Sequence, residues 1–287
     1  MNYLCFDIGG TATKFGILND NYEIIHKGLY LTEASLGGKH ILNSVLKKAE
    51  ELIKDYKVSG VAISTCGVVD CDKGAIHYAS DIVPGYTGIN FKKEFKEKFD
   101  LNCEVENDVN AFSLSEKIKY PNDDYLMITV GTGIGGGIVA NNKLLHGFSL
   151  TAGEFGNMII DDSFLSWEKL ASMTSLVNRA IEANLPIKNG KELFQLYDQG
   201  NECAKRVVNE FYKKLAIGIC NLAYVLNPKY IFIGGGISNR KTFIDELMTQ
   251  INQIKNPAYF GATQVLTCSY QNDGGLIGAL VNYISRA

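Results

Sequence analysis

The sequence predicts an α/β protein of two domains, and three observations carry that prediction. Short apolar runs of strand length alternate with longer segments whose apolar residues recur at helical spacing. A pattern of strand, glycine turn and strand opens the chain at residues 3–18 and begins again at residues 125–140. The length, 287 residues, exceeds one ordinary domain and falls short of three. Sliding the chain by 122 positions pairs Tyr3-Leu4 with Tyr125-Leu126, Gly9 with Gly131 and Asn19 with Asn141. An internal duplication leaves this kind of trace.

Residues 3–8, 14–18 and 24–31 read as a three-stranded meander, broken by Gly9-Gly10 and by Asn19-Asp20-Asn21. In residues 41–56, Ile41, Val45, Leu46, Ala49, Leu52 and Ile53 share one helical face, which should cover the sheet; residues 60–64 then read as a buried strand. Residues 91–99 read as an amphipathic helix, 103–106 as a strand and 109–118 as a helix, and Pro121-Asn122-Asp123-Asp124 marks the junction between domains. Beyond it, 125–130 is a strand, 131–137 a glycine-rich turn and 138–140 the return strand. Helices are expected at 170–183, 191–199 and 202–226, the last stopped at Asn227-Pro228 because proline cannot continue the hydrogen-bond ladder. A strand at 230–233 runs into Gly234-Gly235-Gly236, followed by a helix at 243–254, a strand at 265–269 and a closing helix at 275–284. The expected division is a domain of residues 1–118, on which the C-terminal segment 274–287 packs back, and a second domain of residues 119–273.

With 46% hydrophobic and 21% charged residues, the composition is that of a folded enzyme. The net charge of -3, with basic residues spread along the chain, gives no footprint for nucleic acid or an anionic membrane, so the expected partner is a small molecule. Seven cysteines without a C-x-x-C pair read as buried thiols of a reducing compartment. The chain begins on an apolar strand without a basic leader, and no apolar run reaches membrane-spanning length; a cytoplasmic location is expected, and a homodimer is left open. His26, His40, His77 and His146 have no partner at metal-ligand spacing and are expected to be surface or structural residues.

Three glycine clusters at strand ends carry the chemistry. In Asp7-Ile8-Gly9-Gly10-Thr11-Ala12-Thr13-Lys14 the glycines let backbone N–H groups approach phosphate oxygens, Thr11 and Thr13 can donate hydrogen bonds, Lys14 offsets charge, and Asp7 can hold a hydrated Mg²⁺. The run from Gly131, Thr132 and Gly133 to Gly137 is a second loop of that kind, and Gly234, Gly235 and Gly236 suit a ribose or base at a strand-to-helix turn. Neither the P-loop nor the dinucleotide signature occurs. Glu106-Asn107-Asp108 falls between a strand and a helix, at the sheet edge where α/β sites gather. Asp108 is the candidate general base for an alcohol nucleophile, and Asn107 can orient the same substrate. Read without context, these residues favour capping the helix over catalysis. Glu154 and Asn157 add a carboxylate and an amide suited to sugar hydroxyls, whereas Trp167 reads as core.

On these segments, together with residues 60–70 and 153–156 and in this order, the whole chain resembles the ROK family of bacterial sugar kinases and repressors. The resemblance implies the two-domain actin, Hsp70 and hexokinase-like (ribonuclease H-like) fold, with ATP and Mg²⁺ as cofactors and ATP and sugar in an interdomain cleft. It implies phosphoryl transfer, expected at the 6-hydroxyl, with Asp108 as the base. It also places Gly67, Ser80, Asn107, Glu154, Asn157 and Glu168 at sugar-contacting positions. A repressor of the family would need a DNA-binding segment; with Asp7 so near the first residue and no basic recognition helix later, a repressor is not expected. A non-catalytic ATP-binding module of the actin type would keep the glycine loops but would not need Asp108.

The chain departs from the family pattern at one loop. Asn157 stands where the family usually has a zinc-binding histidine, and residues 158–166 contain no cysteine, so the protein is expected to fold and work without zinc. Holding that loop is expected to fall to Phe155, Phe164, Leu165, Trp167 and Leu170. Gly67-Val68-Val69-Asp70 and Pro84-Gly85-Tyr86 resemble zinc-less N-acetylmannosamine kinases of sialic acid catabolism, with glucose, N-acetylglucosamine and β-glucosides as alternative substrates.

Overall fold

The computed structural model describes residues 1–81 and 83–286, so residue 287 of the expected C-terminal segment lies outside the described residues. The chain divides into two compact units. Unit 1 comprises residues 1–121, 146–152 and the chain from 269 onward; unit 2 comprises residues 122–145 and 153–268.

Unit 1 is built on a five-stranded sheet. Its strands are β1 (Asn2–Ile8), β2 (Ala12–Asn19), β3 (Ile24–Leu31), β4 (Val61–Thr65) and, after the small hairpin of β5 (Val68–Asp70) and β6 (Ala75–Tyr78), β7 (Cys103–Asn107). The order is β3-β2-β1-β4-β7, with β1, β2 and β3 antiparallel and β4 and β7 parallel to β1. Period-two alternation sends Leu4, Phe6 and Ile8 to one face, where Ile41, Val45 and Leu52 of helix α1 (Gly38–Asp55) and Phe91 and Phe95 of helix α2 (Phe91–Phe99) join the core. Tyr3 and Cys5 go to the other face. The C-terminal helix (Gly274–Arg286) covers that face with Leu276, Ile277, Leu280 and Tyr283.

Helix α3 (Asp108–Ser115) crosses the C-terminal helix at glycines. A Cβ on Gly278 would stand 1.6 Å from the carbonyl oxygen of Ala111, and one on Gly274 would stand 2.1 Å from the ring of Phe112. Only glycine permits this backbone approach.

Unit 2 repeats the sheet. Its strands are β8 (Tyr125–Val130), β9 (Ile134–Ala140), β10 (Lys143–Leu144), β11 (Tyr230–Gly234) and β12 (Gln264–Thr267), in the order β10-β9-β8-β11-β12. Again three antiparallel strands are followed by two parallel ones. The innermost hairpin pair is Ile8 with Thr13 in the first sheet but Val130 with Ile134 in the second, so the second turn is one residue tighter. The glycine-rich turn is also shorter than the expected 131–137. Gly135, Gly136 and Gly137 belong to β9, paired with Thr129, Ile128 and Met127, and only residues 131–133 turn.

The helices of unit 2 are α4 (Trp167–Ala171), α5 (Met173–Glu182), α6 (Gly190–Asp198), α7 (Glu202–Leu226), α8 (Phe243–Ile254) and α9 (Pro257–Phe260); the C-terminal helix is therefore α10. The 25-residue α7 packs against α4, α5, α6 and α8 and ends at Asn227, whose left-handed backbone (φ 44°) precedes Pro228. Trp167 is fully buried, lies against Gly218 of α7 and donates its indole N–H to the Lys214 carbonyl at 3.0 Å. The expected helix at 170–183 is two helices, divided where Ser172 caps α5 by accepting from the Ser175 N–H.

Candidate functional site

In unit 1, Asp7 ends β1 beside the first glycine turn. Its Oδ2 accepts from Lys14 Nζ at 3.1 Å and its Oδ1 from Ser64 Oγ at 3.0 Å; Lys14 also donates to the Asn272 carbonyl at 2.9 Å. The first turn of α10 lies against this carboxylate, because a Cβ on Gly275 would come within 2.5 Å of Asp7 Cγ. A helix N-terminus favours negative charge there. Gly10 and Thr11 are exposed, and Gly10 has open space around it.

Thr13 departs from the expected phosphate-contacting role. Its side chain is fully buried and its hydroxyl pairs with that of Thr32 at 2.9 Å, while Thr32 donates to the Gly9 carbonyl at 2.7 Å. Thr13 therefore braces the turn from inside. Period two explains why: Ala12 and Lys14 lie to the other side of the strand.

Asp108 is the first residue of α3, and the capping position falls to Asn107. Asn107 Oδ1 accepts the N–H groups of Val109 and Asn110 at 3.0 Å, and its Nδ2 donates to the Gly67 carbonyl at 3.0 Å and to Asp108 Oδ1 at 2.9 Å. These four bonds use the amide's donors and acceptors, so Asn107 fixes Gly67 and Asp108 rather than offering free groups of its own. Asp108 Oδ1 also takes the Val109 N–H at 3.0 Å. Both of these bonds engage Oδ1. Burial, then the negative charge of Asp7, push the Asp108 carboxyl up to about 6. Ser80 is exposed in the loop after β6.

In unit 2, Gly131 and Gly235 sit at the carboxyl ends of the neighbouring strands β8 and β11. Gly235 has φ 92°, and a Cβ there would lie 2.3 Å from the Val130 carbonyl oxygen, so the turn admits only glycine. These turns open onto a pocket of about 930 Å³, whose lining includes Thr132, Met173, Phe194, Ile237 and Asn239. The size and mixed apolar and polar lining suit a nucleoside. Arg240 forms one wall: its guanidinium lies 4.7 Å from the Phe194 ring centre and bonds Asp198 and Glu246, both at 2.6 Å.

Glu168 opens α4 beside the second turn, since a Cβ on Gly133 would lie 2.5 Å from its Oε2. Glu154 precedes a single 3-10 turn (Phe155–Asn157) that Asn157 ends; both are exposed, with Asn157 Nδ2 3.4 Å from Glu154 Oε2. Partial desolvation, then the charge of Glu168, holds the Glu154 carboxyl above its ordinary value. Of the residues expected to hold this loop, Phe155, Trp167 and Leu170 are buried, but Phe164 and Leu165 are exposed. The loop is tied instead by Asp161, which pairs with Lys214 at 2.7 Å and accepts from the Ser163 N–H at 2.9 Å. Residues 153–166 contain no thiol or imidazole.

Sequence spacing misses one cluster. His146, expected to be a surface or structural residue, lies in unit 1 with its Nε2 2.8 Å from Glu106 Oε2, and Cys71 Sγ is 3.2 Å from the same oxygen. These residues are 35 and 40 positions from Glu106, beyond any local pattern.

Comparison with known proteins agrees with this arrangement. A β-glucoside kinase of Listeria innocua is 36% identical over 300 residues, covering 100% of this chain and 98% of the relative. The structure of a Listeria monocytogenes protein proposed as an N-acetylmannosamine kinase superposes with a TM-score of 0.90 at 31% identity, covering 100% of this chain and 99% of that one. A ROK family protein of Streptococcus pneumoniae in complex with sucrose gives 0.89 at 28% identity, covering 100% and 99%. The paired sheets are those of the actin and hexokinase-like fold. Residues 3–285 match the ROK family, to which this chain belongs.

Proposed function

We propose that the chain transfers the γ-phosphoryl group of ATP to the 6-hydroxyl of a hexose or N-acetylhexosamine, with Asp108 as general base. Its full-length relatives include kinases of β-glucosides and of glucose. The observation that carries the mechanism is the Asp108 carboxyl: one oxygen is fixed by Asn107 and Val109, and its pKa is raised to about 6. A base so tuned is ionised at neutral pH and still basic enough to take an alcohol proton as the oxygen attacks phosphorus. As the new P–O bond forms, the bond from the γ-phosphorus to the bridging oxygen breaks and ADP departs.

The residues present fit the nucleotide and its metal. In unit 1, Gly9, Gly10, Thr11 and Lys14 would approach phosphate oxygens, and in unit 2 Gly131, Thr132 and Gly133 would do the same. Gly234, Gly235 and Gly236 with the adjoining pocket would take the nucleoside. Asp7, already set against Lys14 and Ser64, would hold Mg²⁺ through water, and bound Mg²⁺ supplies charge neutralisation. The sugar-reading candidates are Gly67 and Ser80 in unit 1 and Glu154, Asn157 and Glu168 in unit 2.

N-acetylmannosamine is the substrate we place first, supported by the Gly67 to Asp70 segment and by the Listeria monocytogenes structure. The 36%-identical relative favours a β-glucoside as the second reading. ATP consumption across N-acetylmannosamine, N-acetylglucosamine, glucose and a phosphorylation-competent β-glucoside should give the highest kcat/KM for N-acetylmannosamine. A higher value for the β-glucoside would replace the first substrate with the second, and no turnover of any sugar would sink the kinase mechanism.

Nucleotide binding has a clean test at Gly131. A Cβ there meets nothing within 4 Å, so Gly131→Val should fold normally while filling space a phosphate must enter. ATP affinity measured by calorimetry is expected to fall by roughly tenfold or more, a cost of about 1.4 kcal/mol, with sugar affinity retained. Unchanged ATP affinity would remove this turn from the nucleotide site. Gly133→Val would be a poorer test, because its side chain would also displace Glu168.

A further inference from the structure

We propose that Cys71, Glu106 and His146 form a binding site for one borderline-soft divalent cation, zinc in particular. Three segments of unit 1 deliver three ligand types to one point: Cys71 directly after β5, Glu106 within β7, and His146 soon after β10. Cys71 Sγ is 3.2 Å from Glu106 Oε2 and 3.7 Å from His146 Nε2, which is itself 2.8 Å from Glu106 Oε2. Tetrahedral zinc, with bonds of about 2.3 Å to sulfur and 2.0–2.1 Å to nitrogen and oxygen, spaces its ligand atoms roughly 3.3–3.6 Å apart. Opening the His146–Glu106 edge by about half an ångström would admit the ion.

The donor chemistry selects the cation. A thiolate beside an imidazole and a carboxylate suits zinc and its borderline-soft neighbours, whereas Mg²⁺ and Ca²⁺ take oxygen ligands. The carboxylate is already oriented as ligands usually are: Glu106 Oε1 accepts the Asn107 N–H at 2.9 Å and Asn110 Nδ2 at 3.3 Å, which leaves Oε2 to the cluster. Cys71 and Glu106 are buried and the His146 side chain is 25% exposed, which gives an entry path and room for water as a fourth ligand. Nearby cations are compensated, since Arg286 pairs with Asp72 and Glu104, and Lys92 pairs with Glu104. Binding replaces the S–H bond with a metal–thiolate bond and passes the proton to water, without any change of oxidation state. The ion would clamp the end of β5 and the 146–152 segment to the residue preceding Asn107.

Cobalt(II) reports such a site directly, because a thiolate ligand gives a sulfur-to-cobalt charge-transfer band in the near ultraviolet. The chelator-treated full chain, held in excess Mg²⁺ to occupy oxygen-only sites, is titrated with Co²⁺. The expected result is a band saturating at one equivalent, displaced by Zn²⁺, absent in Cys71→Ser and unchanged in the control Cys203→Ser. His146→Gln, which keeps a hydrogen-bond donor toward Glu106 and leaves the thiol in place, should weaken Co²⁺ binding by more than the roughly 10- to 100-fold that loss of an outer-shell partner costs. If Cys71→Ser fails to fold, His146→Gln decides. No band in the wild type, a band that survives Cys71→Ser, or an affinity indifferent to His146→Gln would each overturn the site. None of these outcomes depends on turnover, so the kinase reading is tested separately.

Discussion

Asp108→Asn is expected to lower kcat by roughly 10²- to 10⁴-fold while changing sugar affinity far less. The substitution keeps the shape. An asparagine Oδ1 can accept from Asn107 Nδ2 and the Val109 N–H as the carboxylate does, so only the proton acceptor is lost. In the wild type, the raised pKa of about 6 should appear as an acid limb: turnover falls as pH drops through that value and the base becomes protonated. The residual activity of Asp108→Asn should lack that limb. Turnover within tenfold of wild type would remove Asp108 from the mechanism.

The same shift has a stability consequence of fixed sign. A carboxyl whose folded pKa lies above its unfolded value binds more protons when folded, so stability falls as pH rises from about 4 to about 6. Above that window the ionised group costs on the order of 2–3 kcal/mol. Asp108→Asn should therefore melt higher than wild type at neutral pH, and the difference should shrink toward pH 4. A lower melting temperature at neutral pH would mean that the carboxylate is held more favourably than its surroundings imply.

The second large effect is expected on folding. Gly278→Ala sets a Cβ 1.6 Å from the Ala111 carbonyl oxygen, and since both atoms belong to helix backbone no rotamer relieves the clash. Helices α3 and α10 must separate, which strips contacts from the face of the first sheet. A loss of about 4 kcal/mol or more belongs to this class of change, or roughly 10 °C in melting temperature for a chain of this size. Gly10→Ala, with open space around it, should melt like the wild type. Equal melting of Gly278→Ala and wild type by circular dichroism would show that the helices do not pack this closely.

Much of this was legible because the decisive signals are local. Strands β3 and β8 and helices α2, α7 and α8 fall where apolar period and breakers place them, and Asn227-Pro228 stops α7 as its chemistry dictates. The position of Asp108 at the start of α3 was readable because a polar run between strand and helix must emerge at the sheet edge. What escaped depends on contacts distant in sequence. Thr13 looks like any loop hydroxyl until Thr32 of the following connection closes over it. Gly136 reads as a ligand-facing glycine, yet a Cβ there would strike the Phe155 ring at 2.1 Å, so its absent side chain serves packing. The short strands β5, β6 and β10 carry too few residues to show a period, and Cys71 and His146 stand beside them.

Because α10 closes unit 1 from the far end of the chain, the timing of synthesis matters. The first five-stranded sheet is fully encoded once Asn107 is made, but the helix that covers Tyr3, Cys5, Leu18 and Ala62 ends at Arg286. Roughly 180 residues separate those points, or about 10 to 40 s of translation at 5–20 residues per second. Throughout that interval the nascent sheet presents an uncovered apolar face beside the ribosome, while the uninterrupted stretch from 153 to 268 is made and can fold in order. The half of the molecule that emerges first is thus the half that matures last, and a nascent chain stalled before α10 is the species that most needs a chaperone.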